Sequence, residues 1–186
     1  MKNKNHICPW QAGSVLAGSF RGLLHNPYRI LKSYLKEGIT GMDIGCGMGF
    51  FTIPMSKIIS AKGKVLAVDL QSQMLEGLKT NTEKSAINNI TLHQCSKVSL
   101  NIESWNGTVN FALIFWMLHE VPDADRLIRE VHQALSENGK LLFAEPFFHV
   151  GKKQFRKSLA MIQQSGFEVI EEPGISFSRA ALVQKI

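Results

Sequence analysis

Met42-Asp43-Ile44-Gly45-Cys46-Gly47-Met48-Gly49-Phe50 places three glycines at alternate positions directly after an acidic residue. The apolar run before it, residues 39–44, reads as a buried strand, and residues 50–60 read as a helix that tolerates Pro54 only near its first turn. Twenty residues past Gly49, a second apolar run, Val65-Leu66-Ala67-Val68, ends in Asp69. A strand, a glycine turn, a helix and a second strand closed by a carboxylate describe a nucleoside-binding half-site. The turn lets a ligand approach the backbone closely, and the carboxylate can accept hydrogen bonds from ribose hydroxyls.

The alternation continues outward from this unit. Residues 72–86 have Met74, Leu75 and Leu78 at helical spacing, and a short strand is expected at 90–94. Residues 109–117 are nearly all apolar, as in a central parallel strand covered on both faces. A helix at 123–135 turns Leu127, Ile128, Val131 and Leu135 inward, and Asn138-Gly139 leads into a strand at 140–145. A helix at 152–164 precedes strands at 166–172 and 175–185, joined at Pro173-Gly174. Strands separated by helices pair in parallel through right-handed crossovers. The last two are too closely connected for a crossover and must be antiparallel. Upstream, a loose helix is expected at 11–25, and Asn26-Pro27 starts another over 27–36 that Gly38 closes.

At 186 residues the chain is read as one compact domain, with 37–186 as the α/β unit and 1–36 as an N-terminal helical cap segment. No apolar run approaches the ~20 residues that span a bilayer. Cys8, Cys46 and Cys95 form no Cys-x-x-Cys pair, which fits a reducing, cytoplasmic setting. His6-Ile7-Cys8 offers metal-ligand types without a second pair, so no metal site is expected. The net charge is +6, with six cations and no acid in residues 1–36 and a second cluster at Lys152, Lys153, Arg156 and Lys157. That distribution suits either a solvated basic surface or an anionic partner. Aromatic residues do not interleave with the cations, which argues against a nucleic-acid platform.

The glycine spacing departs from the dinucleotide fingerprint G-x-G-x-x-G, and Asp43 would repel a pyrophosphate. An acid at this turn suits a ligand carrying an ammonium group. S-adenosyl-L-methionine has that group, a ribose for Asp69 and no phosphate. A dehydrogenase of the Tyr-x-x-x-Lys type is excluded, because the only tyrosines, Tyr28 and Tyr34, precede the glycine turn.

The run Asp43-x-Gly45-x-Gly47-x-Gly49, followed by Val68-Asp69 and Leu70-x-x-x-Met74-Leu75, resembles the class I S-adenosylmethionine-dependent methyltransferases. Leu118-His119-Glu120-Val121-Pro122-Asp123 resembles the segment after the fourth strand in the ubiquinone/menaquinone-biosynthesis type, and Ala134 to Gly139 the turn before the fifth. The resemblance covers roughly residues 37–186. It implies a Rossmann-like three-layer sandwich: a mostly parallel seven-stranded sheet with a C-terminal antiparallel hairpin. It also implies that Asp43, Gly45 and Gly47 line the methionine part of the cofactor, with Cys46 among the cofactor-binding residues, that Asp69 holds the ribose, and that Leu70 packs on adenine. Ser96 stands where the family often has an aspartate near the adenine amino group. Asn110 stands where many members have aspartate at the start of the fourth strand. Phe115, with Trp116 beside it, would border the cofactor or the acceptor.

These positions keep simpler readings. The glycines suit any tight strand–helix turn, Asp69 suits a helix cap, and Phe115 and Trp116 suit core packing. Methyl transfer from a sulfonium needs positioning above all, and a base only where the acceptor must lose a proton. His119, Glu145 and His149 follow the fourth and fifth strands, where ligands gather in open α/β sheets, and are the candidate catalytic residues. Each suits loop packing equally. The expected activity is methyl transfer to a small-molecule acceptor. Trp10, Phe20, Tyr28 and Tyr34 in the cap segment suit an apolar or aromatic one. A non-catalytic cofactor-binding protein and a nucleic-acid methyltransferase are the alternatives.

Overall fold

The computed structural model describes residues 25–186. Seven strands, β1 (Thr40–Ile44), β2 (Lys64–Asp69), β3 (Ile90–Gln94), β4 (Val109–Phe115), β5 (Leu135–Pro146), β6 (Phe167–Glu171) and β7 (Ser178–Lys185), form one sheet in the order β3-β2-β1-β4-β5-β7-β6. The first five are parallel, and β7 runs antiparallel to both β5 and β6. The expected mostly parallel seven-stranded sheet with its C-terminal antiparallel pair is thus present.

The two-residue period of the strands sorts their side chains to two helical layers. Val65, Phe111, Leu113 and Leu142 pack with Met55 and Ile59 of α2 (Thr52–Ile59) and with Leu31 of the short α1 (Pro27–Leu31). Ala67 meets Leu75 and Leu78 of α3 (Ser72–Lys84). On the other face, Met42, Ile44, Leu66, Ala112, Ile114 and Phe143 meet α4 (Ala124–Ala134) and α5 (Lys152–Gln164). The Phe143 and Phe155 rings stack there, 5.3 Å apart and nearly parallel. Each such fully buried side chain contributes about 1.5–3 kcal/mol by leaving water.

Several element bounds differ from expectation. The helix begun by Asn26, whose side chain accepts from Arg29 N–H, ends at Leu31 rather than running to residue 36. β5 begins at Leu135, directly after α4. Asn138, at φ +59°, lies within it, and Leu135 pairs with Val109 before the register shifts. β7 starts at Ser178, so the link from β6 is longer than the Pro173-Gly174 turn suggested. The helix expected at 11–25 and most of the cap segment lie outside the described residues.

Candidate functional site

The strand registers bring the singled-out residues to one edge of the sheet. Ile44 pairs with Val68 on one side and Ile114 on the other, and Phe115 pairs with Ala144. One step past these pairs, Gly45, Asp69, Phe115, Trp116 and Glu145 stand along the carboxyl ends of β1, β2, β4 and β5. This edge is where open α/β sheets bind ligands.

The glycine turn is built by β2. Gly45 N–H and Cys46 N–H both donate to Val68 O, at 2.8 and 3.1 Å, and Gly49 N–H donates to Cys46 O at 3.1 Å. Gly47 has φ +53°, and a Cβ placed there meets nothing within 4 Å. Gly49 has φ +97°, and a Cβ there would lie 2.5 Å from Leu78 Cδ1. Gly47 therefore lines open space, whereas Gly49 lets α3 close on the turn. Met117, following β4, covers Gly45 from above.

Two carboxylates flank the turn. Asp43 is buried, and Thr52 Oγ1 at the start of α2 donates to its Oδ2 at 2.6 Å. Asp69 accepts from Gly47 N–H and Gln71 N–H, each at 2.9 Å. It thus joins the glycine turn to Gln71, which is itself the N-cap of α3, so Asp69 does not cap that helix. Burial pushes the Asp69 carboxyl up from its ordinary value, and the backbone N–H groups of Gln71, Gly47 and Leu70 only partly oppose this. A carboxylate offers about four acceptor positions, so further donors have a place on it. Cys46 is buried, and burial, followed by the charges of Asp43 and Asp69, pushes its thiol well up, which keeps it protonated and unreactive. Burial likewise raises Cys95 to about 11.

Leu70 is half-buried just past β2. Ser96 is exposed, and its hydroxyl closes a turn. It donates to Ser99 O at 3.0 Å and accepts from Ser99 N–H at 3.0 Å and Val98 N–H at 3.3 Å. Asn110 is at the opposite end of β4, where it accepts from Thr40 N–H at 2.9 Å and donates to Ser136 Oγ at 3.3 Å. It stitches β1, β4 and β5 together far from the carboxyl edge. The aspartate-to-asparagine difference there has no bearing on this edge.

Past β4 and β5 the chemistry changes. Phe115 is buried, with its ring 4.5 Å from Phe51 and 5.2 Å from His25. Its immediate surroundings are those of a core residue. Trp116 takes φ +62°, an uncommon conformation for a bulky residue. It is held by its N–H to Ala144 O at 2.8 Å and its indole N–H to Ser178 Oγ at 2.8 Å. Glu145, 1% exposed, accepts from His119 N–H at 2.9 Å and pairs with His119 Nδ1 at 2.6 Å. The hydrogen bond to the Glu145 carboxylate raises the His119 pKa from its ordinary value, against the opposing effect of burial. The His149 ring lies 5.9 Å from that of His119. All three candidate catalytic residues therefore meet. Their pairing was not visible in the sequence, nor was the role of Thr52. The helix start three residues after Gly49 was the available signal for Thr52. Among the described residues, no group of three or more His, Cys, Asp or Glu side chains is placed to hold a metal ion.

A family model described as a methyltransferase domain matches residues 35–173. A carboxy-S-adenosyl-L-methionine synthase from Dichelobacter nodosus is 32% identical over 128 residues, which are 68% of this chain and 53% of that protein. A demethylmenaquinone methyltransferase from Lactococcus lactis is 28% identical over 108 residues, 58% of this chain and 42% of that protein. The chain spans about half the length of the curated relatives it matches. The solved structure of a SAM dependent methyltransferase from Aquifex aeolicus superposes with a TM-score of 0.86 at 21% identity. It covers 97% of this chain and 100% of that one, and establishes likeness of fold.

Proposed function

This chain belongs to the family of S-adenosylmethionine-dependent methyltransferases, and on that premise we propose that it moves a methyl group to a small-molecule acceptor with an apolar or aromatic body. One observation carries the reading. Asp43 and Asp69 flank a glycine turn whose central residue, Gly47, faces open space. The donor set fits the cofactor. Asp43, positioned by Thr52, suits the ammonium end, and Asp69 suits the ribose hydroxyls while keeping its two backbone partners. Gly45 and Gly47 offer backbone without side chains, and Cys46 contributes its peptide rather than its thiol. Leu70 is suited to pack on adenine. Ser96 is committed to its own turn and is a weak candidate for the adenine amino group. When bound, the cofactor supplies an electrophilic methyl on a good leaving group, so the protein's part is orientation and exclusion of water.

The acceptor side is the row of rings past β4 and β5. Phe147 and Phe148 are exposed there beside Trp116, and His25 of the cap segment packs edge-on to Trp116, with ring centres 4.9 Å apart. Residues 1–36 are proposed to contribute to acceptor choice on that ground. The unbridged thiols of Cys46 and Cys95 suit a cytoplasmic setting, and no described helix is long and apolar enough to cross a membrane.

Calorimetry with S-adenosylmethionine, S-adenosylhomocysteine and NAD tests the cofactor: the first two bind and NAD does not. Labelled-methyl transfer to a panel of aromatic, lipid and RNA acceptors tests the rest. Incorporation into RNA alone would favour the nucleic-acid alternative, and binding without transfer to any acceptor would favour a non-catalytic role.

A further inference from the structure

We propose that His119, oriented by Glu145, is the general base of the transfer, and that the acceptor is an aromatic hydroxyl compound lying along the ring wall beside it. This inference rests on the methyltransferase reading. It begins from Glu145, a buried carboxylate at the end of β5 whose two oxygens both engage His119, one the backbone N–H and the other Nδ1. A carboxylate this deep is costly unless paired and hydrogen-bonded. Here it fixes the peptide of the loop and the imidazole together. With Nδ1–H donating to Glu145, Nε2 is left to accept a proton.

The second observation is a continuous row of rings beginning at His119. His149 lies 5.9 Å away, Phe148 is 4.9 Å from His149, and Trp116 is 5.5 Å from Phe148. Phe147 extends the row to Phe177 at 5.8 Å. Phe147, Phe148 and Phe177 are 47%, 56% and 45% exposed, so their faces and edges are available to a ligand. The strained Trp116 backbone, held at both its N–H and its indole N–H, sets the end of the wall nearest β4. Aromatic ligands pack on such a surface in offset or edge-on geometry. A base at one end of an aromatic wall selects a ring bearing a proton that must be removed.

The step balances. The hydroxyl proton passes to His119 Nε2, and the acceptor oxygen forms a bond to the methyl carbon as the sulfur–methyl bond breaks. The electron pair of that bond stays on sulfur. The products are a neutral thioether, a neutral methyl ether and an imidazolium held against Glu145. The elevated pKa of His119 strengthens it as a base. The ionisable groups around it are Glu145, Glu120, whose Oε1 is 3.9 Å from Nε2, and His149.

Two phenols used with the full chain and S-adenosylmethionine provide the test. In mildly alkaline buffer 2-naphthol keeps its proton, whereas 4-nitrophenol is largely ionised and needs little help from a base. The wild-type protein methylates both. His119→Ala loses at least ~100-fold in kcat on 2-naphthol but far less on 4-nitrophenol, with cofactor affinity unchanged. Glu145→Gln has one acceptor oxygen for two His119 donors, and moves the acidic limb of the 2-naphthol pH–rate profile to lower pH. Equal losses on both phenols, an unmoved profile, or no transfer to either phenol by a protein that binds the cofactor would overturn the proposal. Absence of cofactor binding would overturn the methyltransferase reading with it. If His119→Ala does not fold, as judged by circular dichroism, the profile of Glu145→Gln decides alone.

Discussion

The two halves of the carboxyl edge are built by different means. Around β1 and β2, the groups are backbone amides and two carboxylates, fixed by contacts within one strand–turn–helix–strand unit: Gly45 and Cys46 to Val68, Gly47 to Asp69, and Asp43 to Thr52. Past β4 and β5, the groups are side chains brought together from separate loops. His119 meets Glu145 across 26 positions, and Trp116 meets Ser178 across 62. The first half is a compact unit that we propose binds the methyl donor. The second is assembled by the sheet, and its loop after β4 meets the first where Met117 covers Gly45.

The most damaging substitution falls inside the turn. Gly49→Ala forces a left-handed residue and drives its Cβ toward Leu78, and should lower folding stability by about 2–5 kcal/mol in urea titrations. Gly47→Ala, two residues away, should cost only about 1–2 kcal/mol of stability. Its Cβ points into open space, so its main effect should be a loss of cofactor affinity in calorimetry. If the two alanines behave alike, the turn is merely a turn. The smallest effect belongs to the other half. Because the pKa of His119 is raised in the folded chain above its unfolded value of 6.5, the charged pair with Glu145 stabilises fully below that pH. The contribution fades as pH rises through the folded value. The stability gap between wild type and His119→Ala should therefore be larger at about pH 5.5 than at about pH 8.5, by about 1 kcal/mol at most for a partly exposed group. A gap that widens with pH would mean that Glu145 does not hold the imidazolium.

The same contrast explains what the sequence revealed. Asp43, the glycines and Asp69 were legible because their geometry follows from spacing within one strand–turn–helix–strand unit, and strand–helix alternation made the sheet legible in the same way. His119, Glu145 and His149 could be named singly, from their places after strands, but their meeting depends on the β4–β5 register. The place of Asn110 at the start of β4 was legible, while its bridging contacts to β1 and β5 follow only from the sheet. Ser96 could be named from its place after β3, but the fold of the next three residues back onto its hydroxyl was not legible. The long start of β5 at Leu135 was hidden by Asn138-Gly139, which reads as a plain turn.

The division between the halves is tested most directly by titrating S-adenosylmethionine into the wild-type protein, Asp69→Ala and His119→Ala in a calorimeter. Loss of the charged hydrogen bonds at Asp69 should weaken binding by about 1–3 kcal/mol, whereas His119→Ala should bind as the wild type does. Unchanged affinity in Asp69→Ala, or an equal loss in His119→Ala, would contradict the assignment of the glycine turn to the methyl donor and of the β4–β5 loops to the acceptor.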